Sequence, residues 1–198
     1  MEILAVPPAI NTPPFAEFPS IARLSRNVVV TEKIDGTNAQ VHITEDGRMF
    51  AGSRTRWISP EADNFGFAKW VQEHREELMA LGPGSHFGEW WGSGIQRGYG
   101  LQKGEKRFSL FNAGRWIENE IDRTEPKQIM VPRCCRVVPI LYRGIFDTTD
   151  IIAVLLHLGA LGSQAAQGFM QPEGIVIYHE KSKTFFKKTL GDDGHKGA

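Results

Sequence analysis

Residues 28–38 read VVVTEKIDGTN. Three valines, β-branched and stiff, favour an extended half-buried strand, and Asp35-Gly36 supplies the turn that stops it. Lys33 therefore stands at a strand end, as a surface lysine before a turn or as a nucleophile on a fixed support. A lysine attacks only as the neutral amine, and at an ordinary pKa of about 10.4 roughly one in 2,500 is neutral at pH 7. A catalytic lysine needs partial burial, neighbouring cations or a divalent metal ion beside it.

Working outward, residues 39–44 and 49–54 read as two more strands around the turn EDGR, so 28–54 is expected to form a meander with its tight turn at Asp46-Gly47. Between residues 64 and 81, Phe67, Trp70, Val71, His74 and Leu78 fall at helical spacing and Gly82-Pro83-Gly84 closes the element, which predicts one long amphipathic helix. SHFGEWWG (85–92) and KRFSLFNAG (106–114) read as strands flanking the loop GSGIQRGYG (92–100). That loop either approaches phosphate or is a flexible connection; without G-K-[ST] and a following helix it is not a P-loop.

RVVPILYRG (136–144) reads as a further apolar strand, and residues 148–161 as a helix with Thr149 or Asp150 near its N-cap. EGIVIYHE (173–180) and KTFFKKTL (183–190) flank a polar turn at Lys181 and Ser182 and predict a hairpin. Many strands and few helices predict an α+β fold of antiparallel sheets with flanking helices. The expected organisation is a proline-rich arm over 1–14, one domain over 15–190 and a polar tail over 191–198.

Composition narrows the function. The 198 residues, 41% of them hydrophobic, can bury a real core. Lys and Arg total 23, as do Asp and Glu, so there is no global basic field and a polyanion must be held by a local cluster. The two cysteines, Cys134 and Cys135, are adjacent, which argues against a disulfide framework or a CxxC zinc site and for a reducing compartment. The six histidines show no paired ligand spacing, so no zinc site is assigned. No apolar run approaches the roughly 20 residues that span a bilayer, and the N-terminal stretch has no basic region of a leader, so an unprocessed cytoplasmic protein without membrane contact is expected.

KIDGTN, SRT, GEWWGSGIQ, RFSLF, PEGIVIY and TFFKK occur in that order. The set resembles motifs I, Ia, III, IIIa, IV and V of the covalent nucleotidyltransferase superfamily, which contains ATP-dependent DNA and RNA ligases and mRNA capping enzymes. It is most similar to the RNA ligases, over residues 15 to 190, and implies an ATP-grasp-like adenylation domain.

The resemblance implies that Lys33 attacks the ATP α-phosphorus and carries AMP, that Glu32 reads the adenine amino group, and that Asp35 and Asn38 orient the lysine and the phosphates or their metal ion. It implies further that Arg54 contacts the nucleotide or a 5′-phosphate, Glu89 a ribose hydroxyl, and Phe111 the purine face, with Phe108 as the alternative stacking residue. Glu173 would bind Mg2+ or Mn2+, and Lys187 or Lys188 would stabilise charge on phosphorus; the usual K-x-K spacing leaves open which. Asn112 departs from the family, which has aspartate there. The implied partner is RNA with 5′-phosphate and 3′-hydroxyl ends, with a protein partner supplying an end-binding domain. The alternatives are a DNA nick sealer and a non-catalytic nucleotide- or RNA-binding module.

Overall fold

The alternation of the first strand sets the architecture. In the computed structural model, which describes residues 14–191, strand β1 (Asn27–Lys33) turns Val28 and Val30 into a core and Val29 and Thr31 toward a cleft, as a two-residue period requires. β1 pairs antiparallel with β10 (Ile140–Ile145) on one side and β11 (Gly174–His179) on the other, and β11 with β12 (Thr184–Thr189). The last pair is the expected hairpin.

The second sheet runs β4 (Trp57–Ile58), β3 (Met49–Ser53), β2 (Thr37–Ile43), β5 (Gly84–Gly92), β6 (Lys106–Leu110), β9 (Cys135–Val137), antiparallel except between β6 and β9. A short parallel pair, β7 (Trp116–Ile117) and β8 (Ile129–Met130), lies apart.

The expected meander is therefore split. β2 and β3 make their hairpin around Gly47, whose φ of 78° suits glycine, but β1 belongs to the other sheet. Ile34 explains this: it is 4% exposed and packs with Trp91, Tyr99, Val138 and Ala166, so residues 34–36 cross between the sheets rather than fold back. The expected single strand at 136–144 is likewise two, β9 and β10, one in each sheet. Pro139 sits at the crossing, where it has no N–H to leave unpaired and its carbonyl accepts from Glu32 N at 2.9 Å.

The long helix predicted over 64–81 is also divided, into α1 (Phe67–Glu73), α2 (Arg75–Leu78) and a 3-10 turn, Met79–Leu81, with the break at His74 (φ −105°, ψ 18°). The pieces still bury one stripe, Phe67, Val71, Leu78 and Leu81, against Val41, Ile43, Trp90 and Phe108. α3 (Thr148–Leu161) is capped by Asp147, two or three residues before the expected Thr149 or Asp150, and its carboxylate accepts from Thr149 N and Asp150 N. Ile151, Leu155 and Leu158 of α3 cover Val28, Val30, Ile175 and Ile177.

Each sheet is thus covered by helix on its outer face, and the inner faces meet around a cleft: the α+β fold of antiparallel sheets with flanking helices. Apart from Pro14 and Gly191, the expected arm and tail lie outside the described residues. Among the described residues no helix is long and apolar enough to cross a membrane.

The Phe67 ring, fully buried, lies 5.6 Å from Trp70, 5.4 Å from Trp90 and 5.1 Å from Phe108. Phe67→Ala is expected to lower the unfolding free energy by about 3–5 kcal/mol, read as a lower urea midpoint.

Candidate active site

Strand register brings together residues 140 apart in sequence. Lys33 faces Gly174 across the β1–β11 ladder, which places its Nζ on the carboxylate of Glu173, the residue just before β11, as donor and ion-pair partner. Both side chains are about a fifth exposed, at 24% and 17%, so the pair is not sealed in the interior. Gly174 is needed there: a Cβ would strike the Lys188 carbonyl and stand 2.7 Å from the Thr189 Cα. Glu173 is further fixed through its carbonyl, which accepts from Leu190 N at 2.9 Å.

The turn after Lys33 is held from β5. Glu89 Oε1 accepts from Gly36 N at 3.1 Å and Oε2 from Asn38 Nδ2 at 3.0 Å. Gly36 admits this approach because a Cβ would lie 2.5 Å from the Trp90 carbonyl oxygen and 2.8 Å from Trp91 Cβ. Burial pushes the Glu89 carboxyl up to about 7; the bonds from Asn38 and Gly36 and the Lys33 charge pull it down, and Glu173 pushes it up.

Two residues of the glycine-rich loop complete the turn, and neither was singled out from sequence. Arg97 Nε donates to Asp35 Oδ2 at 2.9 Å, while its Nη1 donates to the carbonyls of Gln171 at 3.0 Å and Pro172 at 3.4 Å. One guanidinium thus ties the segment after Lys33 to the segment before Glu173. Tyr99 Oη accepts from Asp35 N at 2.8 Å; its ring is buried between Trp91 and Phe169, at 5.1 and 4.5 Å, and burial pushes its phenol up. The loop is therefore not a slack connection but a wedge, anchored by Ile95 and Tyr99, both 2% exposed or less. Alternating Gly-x-Gly hid it; the signal available was an aromatic and an arginine inside a glycine run.

The cleft encloses about 620 Å³. Val29, Thr31, Tyr178 and Phe185 line it from one sheet and Asn38, Gln40, Phe87 and Phe111 from the other. Lys33 and Glu89 continue these two faces, each two residues further along its strand, β1 and β5. Phe111 is 39% exposed at the cleft wall, whereas Phe108 is fully buried in the core, so the two stacking alternatives occupy different environments. Arg54 lines the cleft, and so do Arg143 and Lys183, which sequence reading missed.

Register also separates the lysine pair. Lys187 lies opposite Val176 and Thr31 across the ladders, on the cleft face, while Lys188 lies opposite Ile175 and Glu32, on the face toward α3. Two sequence expectations find other surroundings. Glu32 is 1% exposed and turned away from the cleft, accepting from Ser163 Oγ at 2.6 Å, Gln164 N at 2.8 Å and Ala165 N at 3.0 Å. Burial raises its carboxyl and these bonds partly offset that. Asn112 Oδ1 accepts from Arg115 N at 3.1 Å and shapes the turn after Phe111. Of the carboxylates here, Glu173 meets Lys33, Asp35 is taken by Arg97, and Glu89 is taken by Gly36 N and Asn38; the Glu173 oxygens are of the hard type that divalent cations select.

A lysine thus stands against a carboxylate at the end of an aromatic-walled cleft between two sheets. The RNA ligase family model matches residues 26–189, and the chain belongs to that family. No curated protein matches it. Among solved structures it is similar to mutant forms of Naegleria gruberi RNA ligase, one with ATP and Mn (TM-score 0.58) and one with AMP and Mn (TM-score 0.55), each 20% identical over 84% of this chain and 50% of the other. The same ligase with PPi gives a TM-score of 0.56 at 20% identity, over 83% and 50%. The chain spans about half the length of these ligases, and the likeness concerns the fold.

The folded protein holds the Glu89 proton up to about pH 7, and the unfolded chain releases it near the ordinary 4.5. Stability therefore falls as pH rises through that window. Glu89→Gln should flatten the decline between pH 4.5 and 7 and leave the slope above pH 8 unchanged, measured by urea unfolding at stepped pH.

Proposed function

We propose that this chain is an ATP-dependent RNA ligase core that joins 5′-phosphate and 3′-hydroxyl ends through a lysyl-AMP. The observation that carries the reading is the placing of Lys33 Nζ on Glu173 at the end of the cleft. Nζ forms a P–N bond to the α-phosphorus of ATP as the bond to the bridging oxygen breaks and pyrophosphate leaves. The ion-paired ammonium first gives up one proton, for which Glu173 is the nearest acceptor, because only the neutral amine attacks; a second proton leaves nitrogen to solvent as the P–N bond forms. A 5′-phosphate oxygen of RNA then displaces Lys33 from phosphorus, giving a 5′,5′-pyrophosphate end, and the 3′-hydroxyl displaces AMP from that end to close the phosphodiester.

The residues divide this work. Phe111 offers an exposed ring for the purine, which any base can stack on. Arg54 offers a planar donor fork to a phosphate group. Lys187, on the cleft face, counters the charge developing on the phosphoryl oxygens. Asn38 and Glu89 keep the lysine turn in shape, and Arg97 keeps Lys33 and Glu173 in register. Glu173 supplies the oxygens suited to Mg2+ or Mn2+, which when bound polarises a phosphoryl oxygen as a Lewis acid. Nucleotide reading by Glu32 has no support in its position.

RNA rather than DNA is favoured by the family match over residues 26–189. We place the protein in the cytoplasm, where its thiols, Cys134 and Cys135, stay reduced, and assign grip on the RNA beyond the cleft to a partner protein.

The test is sealing of matched nicked duplexes whose broken strand is RNA or DNA, with ATP and Mg2+. Sealing of the RNA strand is expected; no sealing of either, at any divalent metal, would overturn the reading. In the same assay Lys187→Ala should lose about 100-fold or more and Lys188→Ala less than about 10-fold. Arg97→Ala should lower kcat roughly 100-fold with KM for ATP little changed, as misplacement of reacting groups does. Arg97→Lys, which keeps the charge but not the fork, should recover only part of that rate.

A further inference from the structure

Behind the six-stranded sheet, on the side away from the cleft, His74, Glu77 and Cys134 bring one donor atom each within 4.8 Å of one another. His74 occupies the break between α1 and α2, and its Nδ1 lies 3.0 Å from Glu77 Oε1. Cys134 comes from the distant loop between β8 and β9, and its Sγ is 3.9 Å from that of Cys135, which is buried in the core. A surface hydrogen bond accounts for His74 with Glu77. It does not account for the thiol, a weak hydrogen-bond partner that gains little beside them.

We propose that His74 Nδ1, a Glu77 carboxylate oxygen and Cys134 Sγ bind one divalent transition-metal ion of the zinc class. Imidazole nitrogen, thiolate sulfur and carboxylate oxygen are the ligands such borderline ions select, whereas magnesium and calcium prefer oxygen throughout. The ion displaces the thiol proton to solvent as it binds, and water fills the fourth position of a tetrahedron. Because the tilted His74 ring packs against Trp70, centroids 5.0 Å apart, and Trp70 packs on the Trp90–Phe108 core, the ion cross-links the helix break to the strand leading into β9. The role is structural, and the nucleotide cleft lies on the opposite face of the sheet.

The test is a Co2+ titration of the full-length protein after chelation and reduction, followed by absorbance, with Zn2+ as competitor. The expected result is one equivalent of Co2+ giving a sulfur-to-cobalt charge-transfer band and the intense visible bands of a four-coordinate ion, both abolished by Zn2+. Cys134→Ser and His74→Ala should lose these bands while keeping the wild-type circular dichroism, and should lose the rise in Tm that Zn2+ gives the parent. A wild-type spectrum of aqueous Co2+ alone would overturn the proposal, as would equal bands and an equal Tm shift in Cys134→Ser.

Discussion

Everything at the site depends on one hydrogen-bonded ladder, that between β1 and β11. Its register sets Lys33 opposite Gly174 and so puts the amine of one chain segment on the carboxylate of another. A slip of one residue would turn Lys33 toward α3 and bring Glu32 into the cleft. The register is well defended. Val28, Val30, Ile175 and Ile177 are buried together beneath α3, so a slip of β1 would turn Val28 and Val30 out of that core, at about 1.5–3 kcal/mol for each side chain. Gly174 adds a local condition, since no other residue lets β12 come as close at that point.

Around this ladder the protein buries carboxylates and gives each a defined set of donors. Glu32 receives three hydrogen bonds from residues 163–165, and Glu89 receives two from the lysine turn. Among the described residues no buried side-chain nitrogen or oxygen lacks a partner. Such a network is stiff, because loss of any one donor leaves a charge or dipole in a poorly solvating place. The stiffness suits chemistry in which a nucleophile must meet phosphorus in line. Arg97 extends it across the chain, joining Asp35 after the lysine to the backbone before Glu173.

Much of the architecture was legible in the sequence because it follows local periodicity. The valine run of β1, the hairpin around Gly47 and the β11–β12 hairpin are all local features, as is the apolar stripe of α1 and α2. What was not legible depends on distant partners. The crossing at Ile34 and the split at Pro139 arise from a third cluster assembled from residues 91, 99, 138 and 166, which no window of sequence contains. The same holds for the site. Lys33 and Glu173 were singled out from motif order, but that Lys187 and not Lys188 shares their face follows from pairing, and the work of Arg97 and Tyr99 from a loop whose glycines suggested slackness. His74 with Cys134 was hidden for the same reason, since ligand spacing along the chain says nothing about ligands on different elements.

The central claim is that Lys33 is the group that carries AMP in this family member. It is tested most directly by incubating the protein with ATP and Mg2+ or Mn2+, digesting it, and mapping the added mass by tandem mass spectrometry. The account predicts one AMP, on the peptide containing Lys33, lost when inorganic pyrophosphate is added in excess. AMP on another residue, or a protein that seals RNA ends with Lys33 replaced by alanine, would contradict it.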